Sequence, residues 1–186
     1  MCRGRSKMEG ITPVKSVPSA PSARGLLSPE IVDSLVRLLV PGAAIVCMGN
    51  ELLGDDAAGV CVGRRLDGSG PWKVYNVHTA PENFLFLIAE GRPSAVLVID
   101  AMDFGAEPGT VALVEPERVT GQGPGTHGPS PAAFLDLLAQ VHPCPMAVLG
   151  IQPAQAAMTA PLCPPVAAAV DSVVSVLRAI ADRLAQ

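Results

Sequence analysis

Three wholly apolar segments of strand length constrain the fold of this chain more than any other feature. They span residues 43–48, 95–99 and 146–151, and neither a charge nor a proline interrupts them. A strand that is apolar at every position has both faces buried, as in a parallel sheet that helices cover on its two sides. The chain is therefore predicted to fold as an α/β domain.

The remaining elements follow from the hydrophobic period between these strands. Helices are predicted at residues 28–39, 56–66, 81–90, 131–141 and 165–184, and further strands at 72–77 and 110–114. This alternation predicts a three-layer α/β/α sandwich around a mixed, mostly parallel sheet of five strands. Only a short turn, residues 104–109, separates the third strand from the fourth, so the fourth is predicted to run antiparallel, as a hairpin with the third.

The chain has 186 residues, which suits one domain, and we expect that domain at residues 28–186. Residues 1–27 carry five basic residues against Glu9 and lack a hydrophobic period, so they are expected to form a disordered basic extension. The extension has a net charge of +4, which leaves −8 for the domain in a chain of overall charge −4. No aromatic residue lies among the basic residues to stack on a base, and nucleic-acid binding is not expected.

The composition favours a cytoplasmic protein. Five cysteines occur without CxxC spacing, which favours free thiols in a reducing compartment over disulfides or a zinc site. The basic N-terminal residues are not followed by the apolar segment of a secretory signal. Each apolar run is broken by proline or charge before the ~18 residues that a spanning helix needs, so no membrane insertion is expected.

Acidic residues follow two of the apolar strands, at the edge where parallel sheets gather their ligands. Asp55 and Asp56 follow the first strand within a glycine-rich segment, residues 49–59, and Asp100 closes the third strand. Capping of a helix N-terminus accounts for one aspartate of the adjacent pair but not for both. Turn formation suits Asp103 better than Asp100. Carboxylates are therefore predicted at the carboxyl edge of the sheet.

His127 is the histidine expected to join these carboxylates. It belongs to a Gly- and Pro-rich loop, residues 116–129, which must return to the carboxyl edge because the helix after it begins there. A loop of this length can span roughly 45 Å, more than the ~17–20 Å of a typical strand. An isolated loop histidine is more often solvated, and His78 and His142 are alternatives.

Two carboxylates and a histidine suit a borderline divalent metal ion with positions open for water and substrate. Such an ion lowers the pKa of bound water or polarises a carbonyl group. Nucleophilic mechanisms have less support, because the sequence contains no GxSxG motif and no cysteine in a recognisable nucleophile context.

Several short motifs occur in an order that is typical of one family. They are Gly49-Asn50, Gly54-Asp55-Asp56, Ala80-Pro81-Glu82-Asn83, Ile99-Asp100-Ala101 with Asp103 and Gly105, Pro108-Gly109, Thr126-His127 and Leu149-Gly150-Ile151-Gln152-Pro153. Together they resemble the nickel-iron hydrogenase maturation endopeptidases, in the branch that serves formate-hydrogenlyase-type hydrogenases. The resemblance covers about residues 43–184. Ala57 departs from it, since many relatives have glycine there.

The resemblance implies a five-stranded α/β/α enzyme that removes a C-terminal peptide from the nickel-loaded precursor of a hydrogenase large subunit. It implies that Asp56, Asp100 and His127 are the catalytic and metal-binding residues, and that the nickel is carried by the substrate. Two other functions stay open: a non-catalytic nickel-site binding module or chaperone, and a small-molecule metallohydrolase on the same fold. His78 goes beyond the family pattern, and we expect it either near Asp56 and His127 or packed on a loop.

Overall fold

In the computed structural model, which describes residues 27–66, 68–114 and 130–186, the elements occur at or near their predicted positions. The strands are β1 (Ala44–Met48), β2 (Lys73–His78), β3 (Val96–Ala101), β4 (Val111–Val114) and β5 (Met146–Ile151). The α-helices are α1 (Pro29–Leu38), α2 (Ala58–Leu66), α3 (Leu85–Glu90), α4 (Pro131–Val141) and α5 (Pro164–Leu184). Single turns of 3-10 helix, Gly54–Ala57 and Pro81–Phe84, precede α2 and α3.

Serine–proline pairs start two of these helices. The Ser28 hydroxyl accepts a hydrogen bond from the Ile31 N–H, and Pro29 occupies the first helical position. Ser130 and Pro131 act in the same way at the start of α4. Serine satisfies an otherwise free N–H, and proline lacks the N–H that would be free there, so the pair defines the first turn.

The five strands form one mixed sheet in the order β2-β1-β3-β5-β4. Strands β2, β1, β3 and β5 run parallel, and β4 runs antiparallel to β5. The prediction of a mostly parallel sheet with an antiparallel fourth strand is confirmed.

The predicted hairpin between the third and fourth strands is wrong. β4 pairs with β5, which lies between β3 and β4. The connection between β3 and β4 crosses the end of β5, where the Gly109 N–H donates to the Gln152 carbonyl (2.8 Å) and the Gln152 N–H donates to the Thr110 carbonyl (2.8 Å). Two strand spacings amount to about 10 Å, which a connection of this length spans. The short turn therefore excluded a parallel crossover without requiring that the two strands be neighbours.

Helices cover both faces of the sheet, which confirms the three-layer architecture. Helices α1, α2 and α5 pack in one apolar cluster, and α3 and α4 pack in a second cluster on the opposite face. Adjacent residues of β1 belong to different clusters: Ile45 faces the first and Val46 the second, and both are completely buried. This explains why the central strands are apolar at nearly every position, with Asp100 near the end of β3 as the exception.

Helix α5 is long and apolar enough to cross a membrane by length and composition, contrary to the expectation that no segment of the sequence is. Its apolar residues, however, are part of the core. The buried face comprises Val166, Ala169, Val170, Val173, Val174, Leu177, Ile180 and Ala181. The apolar character of α5 is therefore accounted for by packing against the sheet and α2.

The carboxyl ends of β2, β1, β3 and β5 lie at one edge of the sheet, and β4 begins there, with Val111 opposite Ile151. β4 ends towards the opposite edge, and the sequence predicts that the loop after it returns to the carboxyl edge before α4. That loop and His127 fall within residues 115–129, outside the described part of the chain, as does the predicted basic extension up to residue 26.

Candidate active site

Asp56 lies in the 3-10 turn between β1 and α2, and the backbone around it fixes its carboxylate. The carboxylate accepts a hydrogen bond from the Asn50 N–H (3.0 Å), which also lies 3.2 Å from the Asp56 carbonyl oxygen. Gly49 has a φ of +131°, and a Cβ atom there would lie 2.0 Å from that carbonyl oxygen. Only glycine lets the end of β1 pass this close to the turn.

Asp100 is the second-last residue of β3 and is only 3% exposed. Helix α2 packs tightly over the neighbouring strand ends, since a Cβ atom on Gly59 would lie 2.3 Å from the Met48 carbonyl oxygen and 2.4 Å from that of Ile99. Burial raises the pKa of Asp100 to about 8, and the negative charge of Asp56 adds to the effect. Burial also raises the pKa of Asp56. The structure thus brings these two predicted carboxylates together.

Asp55 differs from its neighbour, because its carboxylate is used within the fold. It accepts backbone hydrogen bonds from Ala154 (2.9 Å), Gln155 (3.0 Å) and Cys163 (2.7 Å). Burial acts to raise the pKa of Asp55, but these hydrogen bonds outweigh it and hold the pKa below its usual value. Cys163 directly precedes α5. Asp55 therefore connects the turn that carries Asp56 to the loop after β5 and to the start of α5.

Gln152, which follows β5 and to which the sequence assigned no role, fixes the turn between β3 and β4. Its Oε1 accepts hydrogen bonds from the Phe104 N–H (2.9 Å) and the Ala106 N–H (3.2 Å), while its Nε2 donates to Asp103 Oδ1 (3.1 Å). The same Asp103 oxygen accepts from the Gly105 N–H, which confirms Asp103 as a turn residue. Its position directly after a wholly apolar strand is the sequence feature from which a role for Gln152 could have been predicted.

The two histidines in the described part of the chain, His78 and His142, lie at opposite edges of the sheet. His142 lies at the end of α4, near the amino edge, with its Nε2 2.9 Å from the Pro93 carbonyl oxygen, so it does not compete for the site. His78 ends β2 at the carboxyl edge, as predicted, with its Nδ1 3.6 Å from Glu51 Oε2. His78 also has a φ of +53°, which is uncommon for a residue other than glycine. His127 lies outside the described residues.

The described cysteines do not offer a nucleophile. Burial raises the pKa of Cys47, Cys61, Cys144 and Cys163. For Cys47, which is completely buried on β1, the charge of Asp100 raises the pKa further. These thiols therefore stay protonated at neutral pH, and a thiolate mechanism is disfavoured.

Asp56 and Asp100 both have raised pKa values, and a cation bound between them would stabilise their ionised forms. Within residues 27–66, 68–114 and 130–186, neither Asp56 nor Asp100 forms an ion pair with lysine, arginine or histidine. No group of three His, Cys, Asp or Glu side chains in these ranges is placed to hold a metal ion. Asp56 and Asp100 offer two carboxylate oxygen ligands to a divalent cation.

The fold is shared with hydrogenase maturation peptidases of known structure. The chain superimposes on the crystal structure of the NiFe hydrogenase maturation protease HycI from Thermococcus kodakarensis with a TM-score of 0.72, at 23% identity, over 82% of this chain and 98% of the other. The solution structure of the endopeptidase HycI from Escherichia coli gives a TM-score of 0.66 at 30% identity, over 74% of this chain and 90% of the other.

Sequence comparison identifies the family. The sequence model described as hydrogenase maturation protease matches residues 62–180, which include Asp100 and begin just after Asp56. The chain is also 30% identical to the hydrogenase 3 maturation protease of Escherichia coli K12 over 131 residues, which cover 69% of this chain and 84% of the relative. The chain belongs to the hydrogenase maturation protease family, and it is a peptidase.

Proposed function

We propose that this peptidase removes a C-terminal peptide from the large-subunit precursor of a nickel-iron hydrogenase after nickel has been inserted. The observation that carries the proposal is the pairing of Asp56 and Asp100 at the carboxyl edge of the sheet in a member of this family. The proposed place of action is the cytoplasm, which the free state of the four described cysteines supports.

The pairing of Asp56 and Asp100 supports recognition of a cation carried by the substrate. Two carboxylates that share a buried site disfavour each other's ionised form, and a divalent cation between them removes that penalty. Ni²⁺ accepts carboxylate oxygen and imidazole nitrogen as ligands. Asp56, Asp100 and His127 would thus bind the nickel of the precursor and hold the peptide bond beside it.

The protein residues act by binding and orientation in this proposal. The Asn50 N–H fixes one oxygen of Asp56, and the position of Asp100 at the end of β3 fixes the other carboxylate. The nickel, when bound, would polarise the nearby carbonyl group or the attacking water.

Asp56→Asn and His127→Ala are each expected to abolish cleavage without unfolding the domain.

Cleavage should require nickel in the precursor. Asp56, Asp100 and His127 are too few ligands to hold a catalytic metal ion tightly by themselves, so the metal ion has to be carried by the substrate. Nickel-loaded and nickel-free precursor are incubated with the protein, and the shortened product is measured by mass spectrometry. We expect product only from the loaded precursor.

The matched control for this experiment is the nickel-free precursor reloaded with nickel before incubation, which should restore cleavage. Equal processing of the metal-free precursor would refute nickel recognition while leaving the peptidase activity in place. Binding of the loaded precursor without any cleavage would instead indicate a non-catalytic chaperone.

His78 should contribute to cleavage, but less than His127. Its ring lies at the carboxyl edge beside Glu51, where an imidazole is able to bind nickel or to transfer a proton. We expect His78→Asn to slow cleavage on the order of tenfold, the size typical of groups that support a metal ligand. Asparagine is the matched replacement because it tolerates the positive φ at this position. A variant with unchanged nickel affinity and rate would assign His78 to the scaffold.

A further inference from the structure

Two exposed apolar side chains lie on loops that meet at the turn that carries Asp56. Leu52 is 63% exposed and Met158 is 74% exposed, although both are large apolar residues. Leu52 lies four residues before Asp56, in the connection between β1 and α2. Met158 lies in the loop between β5 and α5. We call Leu52 and Met158 the apolar rim.

Hydrogen bonds join the two loops that carry the rim. The Thr159 N–H donates to the Leu52 carbonyl oxygen at 2.7 Å, which brings the residue next to Met158 onto the Leu52 backbone. The Asp55 N–H donates to the Gln155 carbonyl oxygen at 3.2 Å, and the Asp55 carboxylate binds the same loop. The rim is therefore attached to the turn that positions Asp56.

The backbone beside Met158 is strained. Thr159 has a φ of +57°, a conformation that is a genuine outlier for a β-branched residue. Backbone strain of this kind persists only where the surrounding contacts enforce it, and it is concentrated at functional sites. Here the strained turn is held by the hydrogen bond to Leu52, and it leaves the Met158 side chain in solvent.

From these three observations we infer that the apolar rim binds an apolar side chain of the large-subunit precursor, next to the peptide bond that is cut. The inference rests on the proposed function, because a peptidase has to receive a polypeptide at its carboxylates. The residue before Leu52 is charged instead: Glu51 pairs with Arg64 and approaches His78. An apolar segment of the precursor is thus directed to the Leu52 side. Met158 suits this role, since an unbranched thioether side chain adapts its shape to the group it contacts.

The inference is tested with Leu52→Gln, Met158→Gln and the double variant, assayed on nickel-loaded precursor. We expect each single change to raise KM by about tenfold with little change in kcat, because the contact is made before and throughout the reaction. Affinity for nickel-free precursor, measured by biolayer interferometry without cleavage, should fall by a similar factor. Phe86→Gln is the matched control: Phe86 is 67% exposed but lies on α3, and its replacement should leave KM unchanged.

The possible results distinguish a failure of the apolar rim from a failure of the proposed function. A double variant with the KM and affinity of the wild type would overturn the apolar rim and leave the peptidase function standing. A wild-type protein that neither binds nor cleaves the precursor would overturn the proposed function, and the rim with it. Equal losses in Phe86→Gln and in the rim variants would indicate a general loss of folded protein, and would also count against the rim.

Discussion

Asp100→Asn should abolish cleavage and, at the same time, make the folded protein more stable at pH 8. Asp100 is buried beside Asp56, so its ionised form is disfavoured by desolvation and by the neighbouring negative charge. An asparagine of the same size removes the charge and with it one of the proposed nickel ligands. We expect a gain of about 1–3 kcal/mol in the free energy of unfolding, or roughly 3–10 °C in melting temperature.

The gain should depend on pH in a defined direction. The folded protein holds the Asp100 proton up to a pKa of about 8, whereas the unfolded chain releases it near a pKa of about 4. Between these values the folded state binds more protons than the unfolded state, so wild-type stability falls as the pH rises through this window. Asp100→Asn should lack this fall, and the two proteins should differ little at pH 4.5.

Thermal unfolding of both proteins without nickel, from pH 4.5 to pH 8.5, measures this difference. Two results would contradict the prediction: a variant that is less stable than the wild type at pH 8, or two pH profiles that run parallel. Either result would show that the ionised form of Asp100 is not destabilised in the folded protein. Cleavage by the variant at a near-normal rate would remove Asp100 from the active site.

Asp55→Ala should have the opposite effect on stability. Its carboxylate accepts three backbone hydrogen bonds at a fully buried position, and alanine would leave all three N–H groups without this partner. A buried hydrogen bond to a charged group contributes about 1.5–3 kcal/mol, and the three share one acceptor, so we expect a loss of about 3–5 kcal/mol in the free energy of unfolding.

Urea denaturation measures the loss, with Asp171→Ala as the control. Asp171 pairs with Arg65 on the surface, where its side chain is 68% exposed, and such pairs contribute little. Asp55→Ala and Asp171→Ala proteins of equal stability would mean that the loop after β5 does not depend on Asp55. The two predictions assign different roles to two buried aspartates: Asp55 is expected to stabilise the fold, whereas Asp100 is proposed to act with Asp56 in cleavage.

The element order and the layered architecture could be predicted from the sequence because periodicity reports burial directly. The apolar segments predicted at residues 43–48, 95–99 and 146–151 form most of β1, β3 and β5, which are buried at every position. The partner of β4 could not be predicted, because its pattern fits any edge position. The pairing depends on how the connection 102–110 crosses β5, and that path is fixed by the distant Gln152.

Part of the site could also be predicted, because the buried strands that carry it are recognised by their apolar pattern. Asp100 and the Asp55–Asp56 pair follow buried strands, and the carboxyl ends of parallel strands converge at one edge. The separate roles of Asp55 and Asp56 could not be predicted, because they depend on which carboxylate meets the loop after β5, about a hundred residues further along the chain. His127 stays a prediction, as does its return to the carboxyl edge, since it lies outside the described residues.

The central claim is that Asp56 and Asp100 form the site at which a nickel-loaded large-subunit precursor loses its C-terminal peptide. Intact-mass measurement of that precursor, after incubation with wild-type protein or with folded Asp56→Asn, tests it most directly. We expect the wild type to give a product that is shortened at the C-terminus only, and Asp56→Asn to leave the precursor at full length. Shortening by Asp56→Asn at the wild-type rate, or a cut elsewhere in the precursor, would contradict the claim.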